Sequence, residues 1–189
     1  MQQAQSELEP ASFDRKQLDF ARANESSLPG ELRDWMWILF KDNMQDHYES
    51  SKQGFDAEEK QRELFHPASR FFVARDSSTN SRDAQPLGYT IFRYDTEETS
   101  SEDDADVVYC YELQLVSASR RKGVGTLLSE LLLQTGKDFR MDKVMLTVFS
   151  SNRNAISFYE HVGFTTDEID PSRYGEADAD YKILSRACV

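Results

Sequence analysis

The stretch YCYELQLVSASRRKGVG, Tyr109–Gly125, decides the fold. Its first half reads as a β-strand, and its second half is a basic, glycine-punctuated turn that runs straight into a helix. Such a turn aims several backbone N–H groups at one spot, where the helix N-terminus adds partial positive charge. Glycine lets a bulky anion approach the main chain. The ligand that fits Arg120-Arg121-Lys122-Gly123-Val124-Gly125 is a pyrophosphate. Taken alone, the six residues fit a plain basic turn equally well. G-x-G-x-x-G is absent and an arginine leads, which disfavours a dinucleotide-binding turn, and the spacing excludes a P-loop.

The rest of the chain bounds the problem. Its 189 residues suit one domain, with residues 1–15 as a polar arm and 16–189 as the folded unit. Hydrophobic residues make up 39% and aromatic ones 12%, enough for a core. The formal charge of -12 argues against nucleic acid as a direct partner and is compatible with a basic substrate, though acidic solubility alone would look the same. Cys110 and Cys188 form no disulfide framework, no apolar run approaches the ~18 residues of a membrane span, and the first residues lack an apolar signal core. These features point to a reducing compartment, cytosol or nucleus, with no membrane contact. His47, His66 and His161 share no ligand spacing, so no metal is expected.

The periodicity predicts an element order of strand, two helices, three strands, helix, strand, helix and two strands. KQLDFARA is the first strand. A helix follows Ser27-Leu28-Pro29-Gly30 and is broken by Gly54. A second helix begins at the cap candidate Asp56. SRFFVARD and LGYTIFRYD read as an antiparallel hairpin, TEETSSEDDAD as an exposed acidic loop, and VVYCYELQLV as the strand before the turn. KVMLTVF is nearly continuous in apolar residues, as when both sheet faces are covered. NAISFYEHV is a short helix, GF opens a strand, and DYKILSR is the last one.

Arg120, Gly123 and Gly125 match the Q/R-x-x-G-x-G/A signature of the GNAT superfamily of N-acetyltransferases, which the chain resembles. Downstream, Asn152-Arg153-Asn154-Ala155-Ile156-Ser157-Phe158-Tyr159-Glu160-His161-Val162-Gly163-Phe164 is similar to that family's N-x-x-A-x-x-F-Y-x-x-x-G-F segment. The resemblance implies an α/β (α+β) GNAT fold: a mixed, mostly antiparallel sheet of about seven strands flanked by about four helices. It also implies acetyl-CoA as cosubstrate. YCYELQL, RRKG-G, KVMLTVF, YKILSR, FRYD (Phe92–Asp95) and NMQDHYE (Asn43–Glu49) resemble the NatD branch, whose members acetylate the α-amino group of histone H4 and of 2A-type histones. That branch implies a monomer in cytoplasm and nucleus, with the tails of those histones as partners. Gln53 and Phe55 stand where relatives can carry tryptophan.

The resemblance assigns roles residue by residue. Glu112 is the candidate base for the amine, with Tyr109 and Tyr111 beside it. A carboxylate in mid-strand is costly to bury without purpose. Strict alternation puts Tyr109, Tyr111 and Leu113 on one face and Cys110, Glu112 and Gln114 on the other; a bulge, common on this strand in the superfamily, would change that. The main chain of Leu115 and Val116 is expected to bond the pantetheine arm, Asn152 to hold the same arm or cap its helix, and Tyr159 to donate toward the CoA sulfur. Asp95, Glu97, Tyr109, Tyr111 and Tyr181 resemble groups that receive a Ser-Gly-Arg-Gly start, the arginine wanting paired carboxylates. The run Glu102-Asp103-Asp104-Asp106 would steer a basic tail at long range or simply be a solvated loop. Two other readings remain open: a related acetyltransferase for lysine side chains or small amines, and a catalytically silent CoA-binding module.

Overall fold

The computed structural model describes residues 18–76, 84–101, 103–176 and 178–189. The polar arm expected at 1–15 lies outside them, as do Glu102 and part of the loop between the second and third strands. In chain order the elements are β1 (Leu18–Asn24), α1 (Gly30–Glu49), α2 (Ala57–Leu64), β2 (Arg70–Asp76), β3 (Pro86–Glu97), β4 (Ala105–Leu115), α3 (Val124–Asp138), β5 (Lys143–Phe149), α4 (Arg153–His161), β6 (Thr165–Thr166) and β7 (Tyr181–Ala187). The strands form one sheet in the order β1-β2-β3-β4-β5-β7-β6. Every neighbouring pair is antiparallel except β4 and β5, which are parallel and joined through α3. The expected GNAT architecture of about seven strands and about four helices is the one observed, with seven strands and four α-helices among the described residues.

Local chemistry sets the element ends. Asp56 caps α2, its carboxylate accepting the N–H groups of Glu58 and Glu59 at 3.0 and 2.9 Å. α1 ends at Glu49, at the close of the expected stretch and ahead of Gly54, and Ser50 caps it, its N–H and its hydroxyl both donating to the Asp46 carbonyl. β3 and β4 extend into the acidic segment expected to be loop, since Glu97 pairs with Ala105 and Thr96 with Asp106.

The sheet is covered on both faces. Phe92, Val108, Cys110, Leu146 and Leu184 pack with Val124, Leu128 and Leu132 of α3 and with Ile156 of α4. On the opposite face Phe71, Val73, Tyr89 and Ile91 meet Met36 and Phe40 of α1 and Leu64 of α2. This double covering explains the apolar run of β5, where Val144, Met145, Leu146 and Val148 are buried and Thr147 alone is exposed.

One irregularity governs the centre of the sheet. Ile91 faces Glu112 while Phe92 faces Cys110, so Tyr111 is an extra residue in β4, a β-bulge. The bulge overturns the strict alternation. Cys110 stays on the α3/α4 face, whereas Glu112 and Gln114 turn to the α1/α2 face, where they meet Lys60 and Asn43. Tyr109, Tyr111 and Glu112 therefore share one side.

Close packing of β3 against the end of β4 depends on Gly88. A Cβ there would stand 2.4 Å from Leu115 Cδ2 and 2.7 Å from the Gln114 carbonyl oxygen. Gly88→Ala is expected to destabilise the protein by about 1–3 kcal/mol, the usual range for overpacking, and to lower Tm by roughly 5 °C. Gly30→Ala, whose Cβ meets nothing within 4 Å, is the control and should leave Tm unchanged or slightly raised. Equal melting of the two variants would contradict this account.

Candidate active site

The parallel pair β4–β5 holds together only from Val107 to Cys110 against Lys143 to Leu146. β4 continues to Leu115 and β5 to Phe149 without further pairing to each other, so the sheet opens at its centre. A groove of about 1870 Å³ follows the opening. Arg120, Arg121, Gly123 and Gly125 line one end. Glu63, Glu97, Tyr109, Tyr111 and Tyr181 line the other, with Glu112 and Tyr159 between them.

At the basic end each residue has a distinct task. Gly123 is the N-terminal cap of α3 at φ +85°, a conformation that other residues adopt only with strain. Arg121 takes a similar angle, φ 59°, without that freedom. Gly125 is needed for packing rather than for anion approach: a Cβ there would press on Phe158 at 3.2 Å and on Leu115 at 3.3 Å. Val124 is wholly buried in the core, so it offers its main chain alone, and Lys122 does not line the groove. Arg120 extends over the surface to donate to Asn43 Oδ1 at 2.6 Å. Two basic side chains, a left-handed glycine and a helix N-terminus together fit a pyrophosphate.

The seam fits the rest of such a ligand less evenly than expected. Val116 N–H donates to the Leu87 carbonyl at 3.0 Å, and the Val116 carbonyl receives both Ser119 N and Oγ, so its main chain is already committed within the protein. The Leu115 carbonyl receives Asn43 Nδ2 at 3.2 Å. The Asn152 side chain caps α4 by accepting from Ala155 N–H at 3.2 Å. Tyr159 is 9% exposed, and burial raises its pKa, so the hydroxyl keeps its proton at neutral pH. Its hydroxyl has no hydrogen-bond partner among the described residues.

Between the basic end and the tyrosine-lined end, Glu112 is 6% exposed. Oε1 lies 3.2 Å from Lys60 Nζ, and Oε2 accepts from Gln114 Nε2 at 2.7 Å. Burial pushes its carboxyl above the ordinary range, and Lys60 and Gln114 oppose that push. Tyr109 donates to or accepts from Thr147 Oγ1 at 2.6 Å, and burial raises its pKa to about 12. Tyr111 packs beside Tyr109 with ring centroids 5.0 Å apart and planes tilted by 48°, and carries the Arg93 guanidinium over its face at 4.0 Å. Tyr181 is 37% exposed at the mouth. Glu97 faces the groove, its carboxyl raised by burial and then by Asp95. Asp95 is exposed and does not line the groove, so the expected carboxylate pair is offset, with one member inside and one at the rim.

Lys60, Glu63, Gln114, Asn43, Arg93 and Thr147 belong to this site and were not assigned from sequence. Gln114, two residues beyond Glu112 on a strand, and Asn43, Arg93 and Thr147, within NMQDHYE, FRYD and KVMLTVF, carried some signal; Lys60 and Glu63 carried none. The spacing of α2 gives no reason to bury Lys60 in so charged a helix. Among the described residues no group of histidine, cysteine and carboxylate side chains is placed to hold a metal.

A parallel pair that parts beside a bulged strand, above a basic turn at a helix N-terminus, forms a groove suited to an extended ligand with an anionic end. Residues 31–164 match the acetyltransferase (GNAT) family, and the chain belongs to it, making it an acetyl-CoA-dependent acyltransferase. Solved structures share the fold. The NatC complex bound to Gag peptide and CoA superposes with a TM-score of 0.62 at 16% identity, over 90% of this chain and 98% of that one. Arabidopsis thaliana NAA60 in complex with a bisubstrate analogue gives 0.63 at 16%, over 90% and 97%. Ard1 from Thermoplasma volcanium gives 0.57 at 15%, over 92% and 99%.

Arg120→Ala is expected to weaken acetyl-CoA binding about 10- to 100-fold in isothermal titration, the loss of a charge-assisted contact. Because Arg120 is exposed, Tm should stay within about 2 °C of the parent, as for most surface changes. Unchanged affinity would contradict a pyrophosphate at this turn.

Proposed function

We propose that the protein is an N-terminal α-acetyltransferase for chains that begin Ser-Gly-Arg-Gly, the start of histone H4 and 2A-type histones, and that it works as a monomer in cytoplasm and nucleus. The observation that carries this reading is the position of Glu112. It lies at the β4 bulge, between a basic turn suited to CoA and a pocket of tyrosines and carboxylates suited to a cationic peptide start. Two solved proteins of the same fold hold a peptide with CoA or a bisubstrate analogue, which is consistent with it.

Acetyl-CoA supplies the acetyl group as a thioester. Tyr109, Tyr111 and Tyr181 orient the peptide N-terminus, and Glu97, with Asp95 at the rim, receives the arginine. Glu112 accepts the proton of the α-ammonium, directly or through one water. The neutral amine nitrogen forms a bond to the thioester carbonyl carbon, the C–S bond breaks, and the second proton the nitrogen sheds ends on the thiolate sulfur as CoA leaves as the thiol. Tyr159, kept protonated by burial, donates toward the departing sulfur. An α-amine has a pKa of about 7.7–8.0 against roughly 10.4 for lysine, so a single buried carboxylate suffices for the former. Glu112 acts as base only when ionised. Since burial raises its pKa, kcat/KM should fall as pH drops through that raised value.

The test is a peptide SGRGK with its α-amine free or blocked, with the acetylated position located by mass spectrometry. The free peptide should be modified on its α-amine, with the blocked one at least about tenfold slower, a difference of roughly 1.4 kcal/mol. Equal rates would sink the reading in favour of lysine acetylation. Glu112→Gln should lower kcat/KM about 10²- to 10⁴-fold, the usual scale of base catalysis, while acetyl-CoA still binds.

A further inference from the structure

Lys60 is 8% exposed and sits under two aromatic rings, Tyr48 at 5.0 Å and Phe40 at 5.4 Å. Its ammonium bridges Glu63 Oε2 at 2.6 Å and Glu112 Oε1 at 3.2 Å. On the other side of the carboxylate, Gln114 Nε2 donates to Oε2, Asn43 Nδ2 donates to Gln114 Oε1 at 2.9 Å, and Arg120 donates to Asn43 Oδ1. A continuous chain of side chains thus runs from α2, through the centre of the groove, to the phosphate turn.

Burying a lysine among aromatic rings is costly, and an apolar residue of similar length would serve the packing as well or better. The pair is therefore poor evidence for stability as its purpose. We propose that Lys60 is a positioning residue for Glu112, holding the carboxylate charged within the buried site while Gln114 and Asn43 fix its orientation relative to the phosphate turn. This rests on the reading of Glu112 as base. The titratable groups that act electrostatically on Glu112 are Tyr48 on α1, Lys60 and Glu63 on α2 and Tyr89 on β3 from its own face, and Cys110 on β4 and Tyr159 on α4 from the α3/α4 side. Lys60 is the cation in contact with it among the described residues. Burial alone would lower the Lys60 pKa, but Glu112, Tyr48 and Glu63 outweigh burial and hold it above its ordinary value. Lys60 stays charged throughout the working range.

Thermal melts of the full-length protein test this without reference to any acceptor, using Lys60→Met, Glu112→Gln and the double variant at pH 5.5 and 8.5. In Lys60→Met the buried carboxyl loses its cation, so its folded-state pKa rises further above the unfolded value of about 4.3. The folded state then binds more protons than the unfolded one, and stability falls as pH rises between the two values. The Tm deficit of Lys60→Met against the parent should grow by about 5 °C or more from pH 5.5 to 8.5, and Glu112→Gln should abolish that growth. If Lys60→Met fails to fold and the double variant folds, the same coupling is shown. A deficit that ignores pH and is not relieved by Glu112→Gln overturns the proposal, as does a folding failure shared by the double variant. In parallel, the acid limb of kcat/KM for SGRGK should move up in pH by a unit or more in Lys60→Met, with acetyl-CoA affinity changed less than about threefold, since each unit of pKa is about 1.4 kcal/mol in the carboxylate alone. Intact coupling in the melts with no turnover of SGRGK by the parent supports the clamp and overturns the acceptor reading. An unmoved acid limb in an active Lys60→Met variant overturns the positioning role.

Discussion

Past Cys110 and Leu146 two neighbouring parallel strands cease to bond to each other, in the middle of a seven-stranded sheet. Main-chain groups left unpaired in such a place cost about 1–3 kcal/mol each unless something bonds them. A ligand with its own amides, lying along the seam, offsets that cost, and the pantetheine arm of CoA is such a ligand. The opening also separates the sheet into two walls. The α1/α2 side brings Lys60, Asn43 and Tyr48 to one wall, and α4 brings Asn152 and Tyr159 to the other. The turn that ends β4 delivers Arg120 and Arg121 to the seam's mouth.

The bulge at Tyr111 and the parting of the strands act together. Without the extra residue, Glu112 would point with Cys110 into the core beneath α3 and α4. With it, the carboxylate reaches the groove while Cys110 remains buried, its thiol pushed up to about 12 by burial and so inert as a nucleophile. Charge is divided along the same line. A chain of net charge -12 places two arginines at the donor end of the groove and keeps carboxylates such as Glu63, Glu97 and Asp180 at the acceptor end. The groove therefore offers opposite potentials to an anionic donor and a cationic acceptor.

Much of this was legible in the sequence, for physical reasons. Arg120, Gly123 and Gly125 announce a turn before a helix because only certain residues allow that backbone, and Asp56 announces α2 because its side chain must bond the first free N–H groups. KVMLTVF announces a strand covered on both faces. The site was less legible. The periodicity of a strand cannot show where a bulge falls, so strict alternation put Glu112 and Cys110 together. Lys60 lies in AEEKQREL, whose local pattern is that of a solvated helix, and only the packing of α2 over β4 buries it. Val116 was expected to serve a ligand, yet Leu87 and Ser119, remote in pattern if not all in sequence, already occupy its main chain. Asp95 and Glu97 do share a strand face, but the groove ends between them.

The central claim is that the open seam between β4 and β5 is where acetyl-CoA binds. Backbone amide chemical shifts recorded by NMR during titration with acetyl-CoA test it most directly. The account predicts that the largest changes fall on Leu113–Leu115, Thr147–Phe149 and Arg120–Gly125, with β1 and β2 nearly unaffected. Saturable binding with the largest changes elsewhere, and none along the facing edges of β4 and β5, would contradict it.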